Sequence, residues 1–164
     1  LNGWLLTILL LQPALAGSKA SRLIPAKSNP RNEDALTETT PALPTVLIVD
    51  DEWMNRDLLQ TLLESAGYRV LQANAVPLAL ELARQHRPAL AIVDVRLPHH
   101  EEGYALCRDL KSSPETAGMQ VIMITALEGA AEVQKAQQAG ADGFVTRGRG
   151  VSVVLATVER LLAR

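Results

Sequence analysis

The sequence predicts an α/β domain built on one doubly wound parallel sheet, and three observations carry that prediction. From Thr45 onward, five short apolar runs alternate with five stretches of helical periodicity. The first, third and fourth runs, at 45–49, 89–93 and 121–124, are apolar at nearly every position, as strands covered on both faces must be. Four of the five runs stop at residues able to do chemistry: Asp50 with Asp51, Asp94, Thr125 and Arg147. Strands that alternate with helices in this way wind right-handed crossovers over both faces of one sheet.

Each element follows from local pattern. The run 45–49 leads straight into Asp50-Asp51-Glu52. Leu58, Leu59, Leu62, Leu63 and Ala66 then recur at helical spacing, and Gly67 supplies a left-handed stop. Residues 68–73 read as a second, more polar strand nearer an edge. Asn74 is expected to cap a second helix, with Pro77 in its first turn and Leu78, Leu80, Leu82 and Ala83 carrying it to about His86. The third strand, 89–94, repeats the opening pattern and ends in Asp94. A loop from Leu97 to Gly103 precedes a helix with apolar Tyr104, Ala105, Leu106, Cys107 and Leu110, broken at Ser112-Ser113-Pro114. Strand four, 121–125, ends in Thr125. A helix over 129–139 presents Ala131, Val133, Ala136 and Ala139, and Gly140 ends it. A brief fifth strand, 143–146, runs into Arg147, and a last helix carries Val154, Leu155, Val158, Leu161 and Leu162.

Composition narrows the function classes. With 48% hydrophobic and 21% charged residues the chain is globular, and with 3% aromatics its core must come from Leu, Val, Ile and Ala. A formal net charge of −2 offers no basic surface for nucleic acid or anionic membrane. The single cysteine, Cys107, suits a reducing compartment and reads as a small core residue. Residues 1–44 read separately from the domain at 45–164. Trp4 to Leu11 is apolar and Ala14-Leu15-Ala16 resembles a signal cleavage site, yet no basic start precedes them and the run is too short to span a bilayer. Residues 17–44 have a linker composition. The first 44 residues are therefore expected to be upstream sequence or a fragment end sooner than an export signal.

In a flavodoxin-like sheet of order 2-1-3-4-5, strands one and three flank the switch point, where ligands sit outside the carboxyl ends of the strands. Asp50, Asp51, Asp94, Thr125 and Arg147 then converge on one edge. Adjacent carboxylates disfavour each other unless they share a cation. Mg²⁺ takes oxygen ligands and keeps waters, so Asp51 and Asp94 suit direct binding, with Asp50 acting through water. Thr125 and Arg147 suit the oxygens of a phosphoryl group, and Asp94 suits the nucleophile that accepts it.

These residues resemble the receiver domain of the two-component response-regulator family. The resemblance rests on Leu47-Ile48-Val49-Asp50-Asp51-Glu52, Ile92-Val93-Asp94 with Leu97-Pro98, Ile124-Thr125-Ala126, and Ala139-Gly140-Ala141-Asp142 before Phe144. It implies that Asp94 accepts a phosphoryl group from a histidine kinase or a histidine phosphotransfer protein. It implies Mg²⁺ on Asp51, Asp94 and the Arg96 backbone carbonyl, with Asp50 completing the acidic site. It makes Thr125 the switch hydroxyl and Phe144 the aromatic that reorients with it. Three features depart from the family: Arg147 stands where a lysine is usual, Gly148 stands where a proline bearing a cis bond is usual, and the loop after Asp94 is one residue longer, filled by His99-His100-Glu101-Glu102.

The resulting expectation is a stand-alone, chemotaxis-regulator-like receiver, cytoplasmic and not an enzyme. It signals to an unknown downstream protein by altered protein–protein contacts, without nucleic acid or a membrane span, and homodimerisation is left open. The alternative is a phosphorylation-independent pseudo-receiver. A haloacid-dehalogenase-type phosphatase is disfavoured, because Glu52 stands where its second aspartate belongs.

Overall fold

The computed structural model describes residues 43–98, 102–127 and 129–163. The readings of residues 1–42 and of His99, His100 and Glu101 lie outside these. Five strands, β1 (Thr45–Val49), β2 (Arg69–Ala73), β3 (Leu90–Asp94), β4 (Gln120–Thr125) and β5 (Gly143–Thr146), form one sheet of order β2-β1-β3-β4-β5. Every pairing is parallel. The helices are α1 (Trp53–Ser65), α2 (Val76–His86), α3 (Glu102–Ser112), α4 (Ala130–Gln138) and α5 (Val151–Leu162), with a 3₁₀ turn at Arg147–Arg149. The expected fold class and strand order are both observed, with the polar second strand at an edge.

The sheet divides the core in two, because successive strand side chains point to opposite faces. Leu47, Val49, Ala91, Val93, Val121 and Met123 face α2, α3 and α4. Val46, Ile48, Leu90, Ile92, Ile122 and Ile124 face α1 and α5. Burying a Val, Leu or Ile side chain stabilises by about 1.5–3 kcal/mol. The central strands β1, β3 and β4, buried along almost their whole length, thus form the rigid frame whose carboxyl ends carry the polar residues.

The helices bury narrower stripes than their periodicity suggests. In α1 only Leu59 and Leu63 are buried, while Leu58 is exposed and Ala66 lies beyond the helix in the surface. In α2 the buried residues are Ala79 and Ala83, with Leu78 exposed, and in α4 Ala136 is buried while Ala131 and Val133 are exposed. Alanine lets the helix axis approach the already bulky sheet, so the larger neighbours are turned toward the rim. Asn74 does not cap α2. The extended residue before the helix is Ala75, without a side-chain cap bond, and Pro77 in the first turn sets the start instead.

Two contacts anchor α3. A Cβ on Gly103 would lie 2.1 Å from the Asp94 carbonyl oxygen and 2.8 Å from Val95 Cα, so the helix is seated directly on the main chain of β3's end. The next residue, Tyr104, donates its hydroxyl to Glu132 Oε2 of α4 at 2.7 Å. That bond, together with the Lys135 ion pair, holds the Glu132 carboxyl below its ordinary range against the opposing effect of burial. Cys107 packs on the same face, its Sγ 3.3 Å from the Ala139 carbonyl, and burial pushes the thiol up to about 11. It is an inert core residue, as expected.

Two outcomes follow for stability. Gly103→Ala meets backbone atoms that cannot move aside, so it should cost about 3 kcal/mol in urea denaturation, the upper end for overpacking. A depressed Glu132 pKa contributes stability above its unfolded value that is lost as pH falls through its folded value. Tyr104→Phe should therefore cost about 1 kcal/mol at neutral pH. In melts across the carboxylate range, the gap from the unsubstituted chain should close on acidification.

Candidate functional site

Strand pairing builds the site. Val49 of β1 stands opposite Val93 of β3, so the residues that follow, Asp50 and Asp94, emerge side by side. The Asp50 N–H extends the ladder by one bond to the Ala73 carbonyl at 3.2 Å. Carboxylate oxygens of Asp50, Asp51 and Asp94 all lie within 4.8 Å of one another. Asp50 and Asp94 are buried at 4% and 8% exposure, whereas Asp51 is exposed.

Arg147 reaches this pair from β5, two strands beyond β3. Its Nη2 lies 2.5 Å from Asp50 Oδ2 and 2.9 Å from Asp94 Oδ2, so one nitrogen bridges the two buried carboxylates. The other oxygen of Asp50, Oδ1, accepts the Glu52 N–H at 2.9 Å and Asn55 Nδ2 at 3.2 Å. Burial is the largest influence on Asp94 and pushes its carboxyl above the usual range. Arg147 pulls it back, Asp50 pushes it up, and a hydrogen bond from the Arg96 N–H again lowers it. Burial works against the charge on Arg147, but Asp94 and Asp50 outweigh it and raise its pKa, so the guanidinium stays charged.

Thr125 ends β4 fully buried, and its Oγ1 accepts the Leu127 N–H at 3.1 Å. Its hydroxyl is thus tied to the start of the β4–α4 loop. Phe144 lies opposite Met123 in the β4–β5 pairing and packs, partly buried, on the α2–α3–α4 side of the sheet. Gly148 lies in the 3₁₀ turn, and the described residues contain no cis peptide bond.

The donor set fits Mg²⁺. It is all oxygen, it carries three carboxylates in one cluster, and the exposed Asp51 leaves room for the waters this ion retains. Asp50 is engaged by Arg147, the Glu52 N–H and Asn55, and Asp94 Oδ2 by Arg147.

Two neighbours were not apparent in the sequence. Asn55 bonds Asp50, and Arg56 Nη1 donates to the main-chain carbonyls of Asp50 at 2.7 Å and Asp51 at 3.0 Å. Both look like ordinary solvated residues of a first helical turn. The available signal was their place just after the acidic turn, toward which helix side chains lean.

Comparison with known proteins decides the family. Residues 46–159 match the model of the response regulator receiver domain. The chain belongs to this family. Receiver domains are signalling modules of two-component systems rather than typical enzymes. A relative from Synechocystis, the DNA-binding dual master transcriptional regulator RpaA, is 36% identical over 122 residues, covering 74% of this chain but 50% of RpaA. The polar-differentiation response regulator DivK of Brucella anthropi is 30% identical over 118 residues, covering 72% of this chain and 95% of DivK. The chain therefore spans about half of one relative and nearly all of the other. A putative response regulator from Chloroflexus aurantiacus superposes with a TM-score of 0.69 at 30% identity, covering 74% of this chain and 99% of that one. No described helix is long and apolar enough to cross a membrane.

Removing Arg147 leaves two buried carboxylates facing each other without a cation. In metal-free buffer Arg147→Met should cost about 2 kcal/mol in urea denaturation, below the usual loss for a broken buried pair because Arg147 is 28% exposed. In an Asp94→Asn background the same substitution should cost about 1 kcal/mol less, which a double-mutant cycle reads directly.

Proposed function

We propose that this receiver accepts a phosphoryl group on Asp94 from a histidine kinase or a histidine phosphotransfer protein, in the cytoplasm, and signals through altered protein contacts. The observation that carries this reading is the cluster of Asp50, Asp51 and Asp94 at the carboxyl edge of β1 and β3, with Arg147 bridging two of its members.

Asp51, Asp94 and the Arg96 carbonyl would hold Mg²⁺, with Asp50 acting through water. When bound, the ion neutralises charge developing on the transferred phosphoryl oxygens. An Asp94 carboxylate oxygen attacks the phosphorus of a phosphohistidine. The new P–O bond forms as the P–N bond breaks, and its electron pair stays on the imidazole, which takes up a proton. Asp94 sits at the end of a strand buried on both faces, so its carboxylate is presented with little freedom to lose. Arg147 then pairs with one phosphoryl oxygen. Thr125 turns to donate its hydroxyl to another, and the rotation draws its oxygen away from the Leu127 N–H. That rotation loosens the β4–α4 loop, and Phe144, packed beside Met123, follows, biasing the face made by α4, β5 and α5. An unidentified downstream protein reads that face, as a monomer or in a homodimer.

Arg147 also supports a second reading, a pseudo-receiver that works without phosphorylation. Its guanidinium already satisfies Asp50 and Asp94, which gives the resting pocket an internal cation. One experiment separates the two. The full chain is incubated with acetyl phosphate and Mg²⁺ and its intact mass measured, beside an Asp94→Asn control. A Mg²⁺-dependent gain of one phosphoryl mass, absent from the control, is the expected result. No gain in the unsubstituted chain would overturn phosphoryl acceptance in favour of the pseudo-receiver.

A further inference from the structure

We infer that Arg56 is a positioning residue that sets the affinity of the acidic site for Mg²⁺ by fixing the Asp50–Asp51 main chain; this rests on the Mg²⁺ reading above. The turn from β1 to α1 has to present one buried and one exposed carboxylate toward Asp94. Arg56 grips that turn from the first part of α1. Its Nη1 donates to the Asp50 carbonyl at 2.7 Å and the Asp51 carbonyl at 3.0 Å. The opposite side of the guanidinium is held as well, since Nε donates to Gln72 Oε1 at 3.2 Å. Gln72 lies on β2 opposite Ile48, and its amide Nε2 donates to Gln60 Oε1 on α1. Gln60 Nε2 in turn donates to Glu64 Oε1 at 2.7 Å. A chain of hydrogen bonds therefore runs from the body of α1, through β2, to the two carbonyls that orient the ligands.

The direction of these bonds separates positioning from charge. The Arg56 donors go to main-chain carbonyls and to Gln72, not to the carboxylates of the cluster, which Arg147 already serves. A positive charge beside a cation site opposes metal binding. If Arg56 mattered only as a charge, removing it would tighten Mg²⁺. If it holds the turn, removing it lets Asp51 swing on an exposed loop and weakens Mg²⁺, as losing the partners behind metal ligands generally does. The two accounts predict opposite signs. A lysine keeps the charge but not the planar fork that spans two carbonyls and Gln72.

The test is calorimetric titration of Mg²⁺ into the full chain and its Arg56→Met, Arg56→Lys and Gln72→Leu variants, with metal-free thermal melts alongside. Arg56→Met and Arg56→Lys should each weaken Mg²⁺ about tenfold or more. Gln72→Leu, which leaves the guanidinium but frees its outer edge, should weaken it by a smaller factor. Mg²⁺ bound as tightly or more tightly by the Arg56 variants, with the unsubstituted chain binding normally, overturns the inference and leaves the metal site standing. Should Arg56→Met not fold, unchanged affinity in both Arg56→Lys and Gln72→Leu overturns it equally. An unsubstituted chain that takes up no Mg²⁺ removes the metal reading and this inference with it.

Discussion

Three carboxylates within 4.8 Å of one another are the constraint around which the rest of the domain is arranged. Two of them are nearly out of solvent, where their mutual repulsion is least screened. Arg147 answers that repulsion from the far side of the sheet, 97 residues along the chain from Asp50. The short strand β5 delivers it to the same edge that carries Asp50 and Asp94. One nitrogen touching both acids ties the ends of β1, β3 and β5 together, so the edge strand β5 is bound electrostatically to β1 and β3.

The frame beneath it is apolar along nearly all of β1, β3 and β4. Side chains of β1, β3 and β4 alternate between two separate cores, leaving the strands no freedom to slide without moving every residue to the wrong face. Gly103 lets the start of α3 rest on the Asp94 main chain, and Tyr104 then links α3 to α4 through Glu132. The acidic edge is thus in contact with α3, and through it with α4.

How much of this the sequence reveals depends on the kind of interaction. Strands buried on both faces announce themselves as unbroken apolar runs, and a polar residue at the end of such a run is conspicuous. That is why the sheet order and the positions of Asp50, Asp51, Asp94, Thr125 and Arg147 were legible. Helix stripes were less so. Periodicity counts Leu58 and Leu62 with Leu59 and Leu63, but α1 meets the sheet along a narrow line and leaves Leu58 outside. Ala79, Ala83 and Ala136 form the contact lines of α2 and α4 because a methyl fits where a leucine does not. Arg56 was illegible for a different reason. Its partners are main-chain carbonyls, which carry no signature in the residue alphabet.

The difference between the two arginines explains how the site can be both rigid and responsive. Arg56 holds carbonyls, whose charge does not change when the site changes state, so its grip on the β1–α1 turn is constant. Arg147 holds carboxylates, one of which is the proposed acceptor. On that reading a phosphoryl group at Asp94 adds oxygens and negative charge beside the guanidinium, and the bridge to Asp50 must share its nitrogen with a stronger partner. Thr125 accepts the Leu127 N–H at rest, a bond that uses an oxygen lone pair and not its O–H. The fixed contacts lie toward α1 and β2, and the contacts that can be exchanged lie toward β4, β5 and α4. On the proposed reading, a change of charge at Asp94 would bear first on the contacts made by Arg147 and Thr125, not on those made by Arg56.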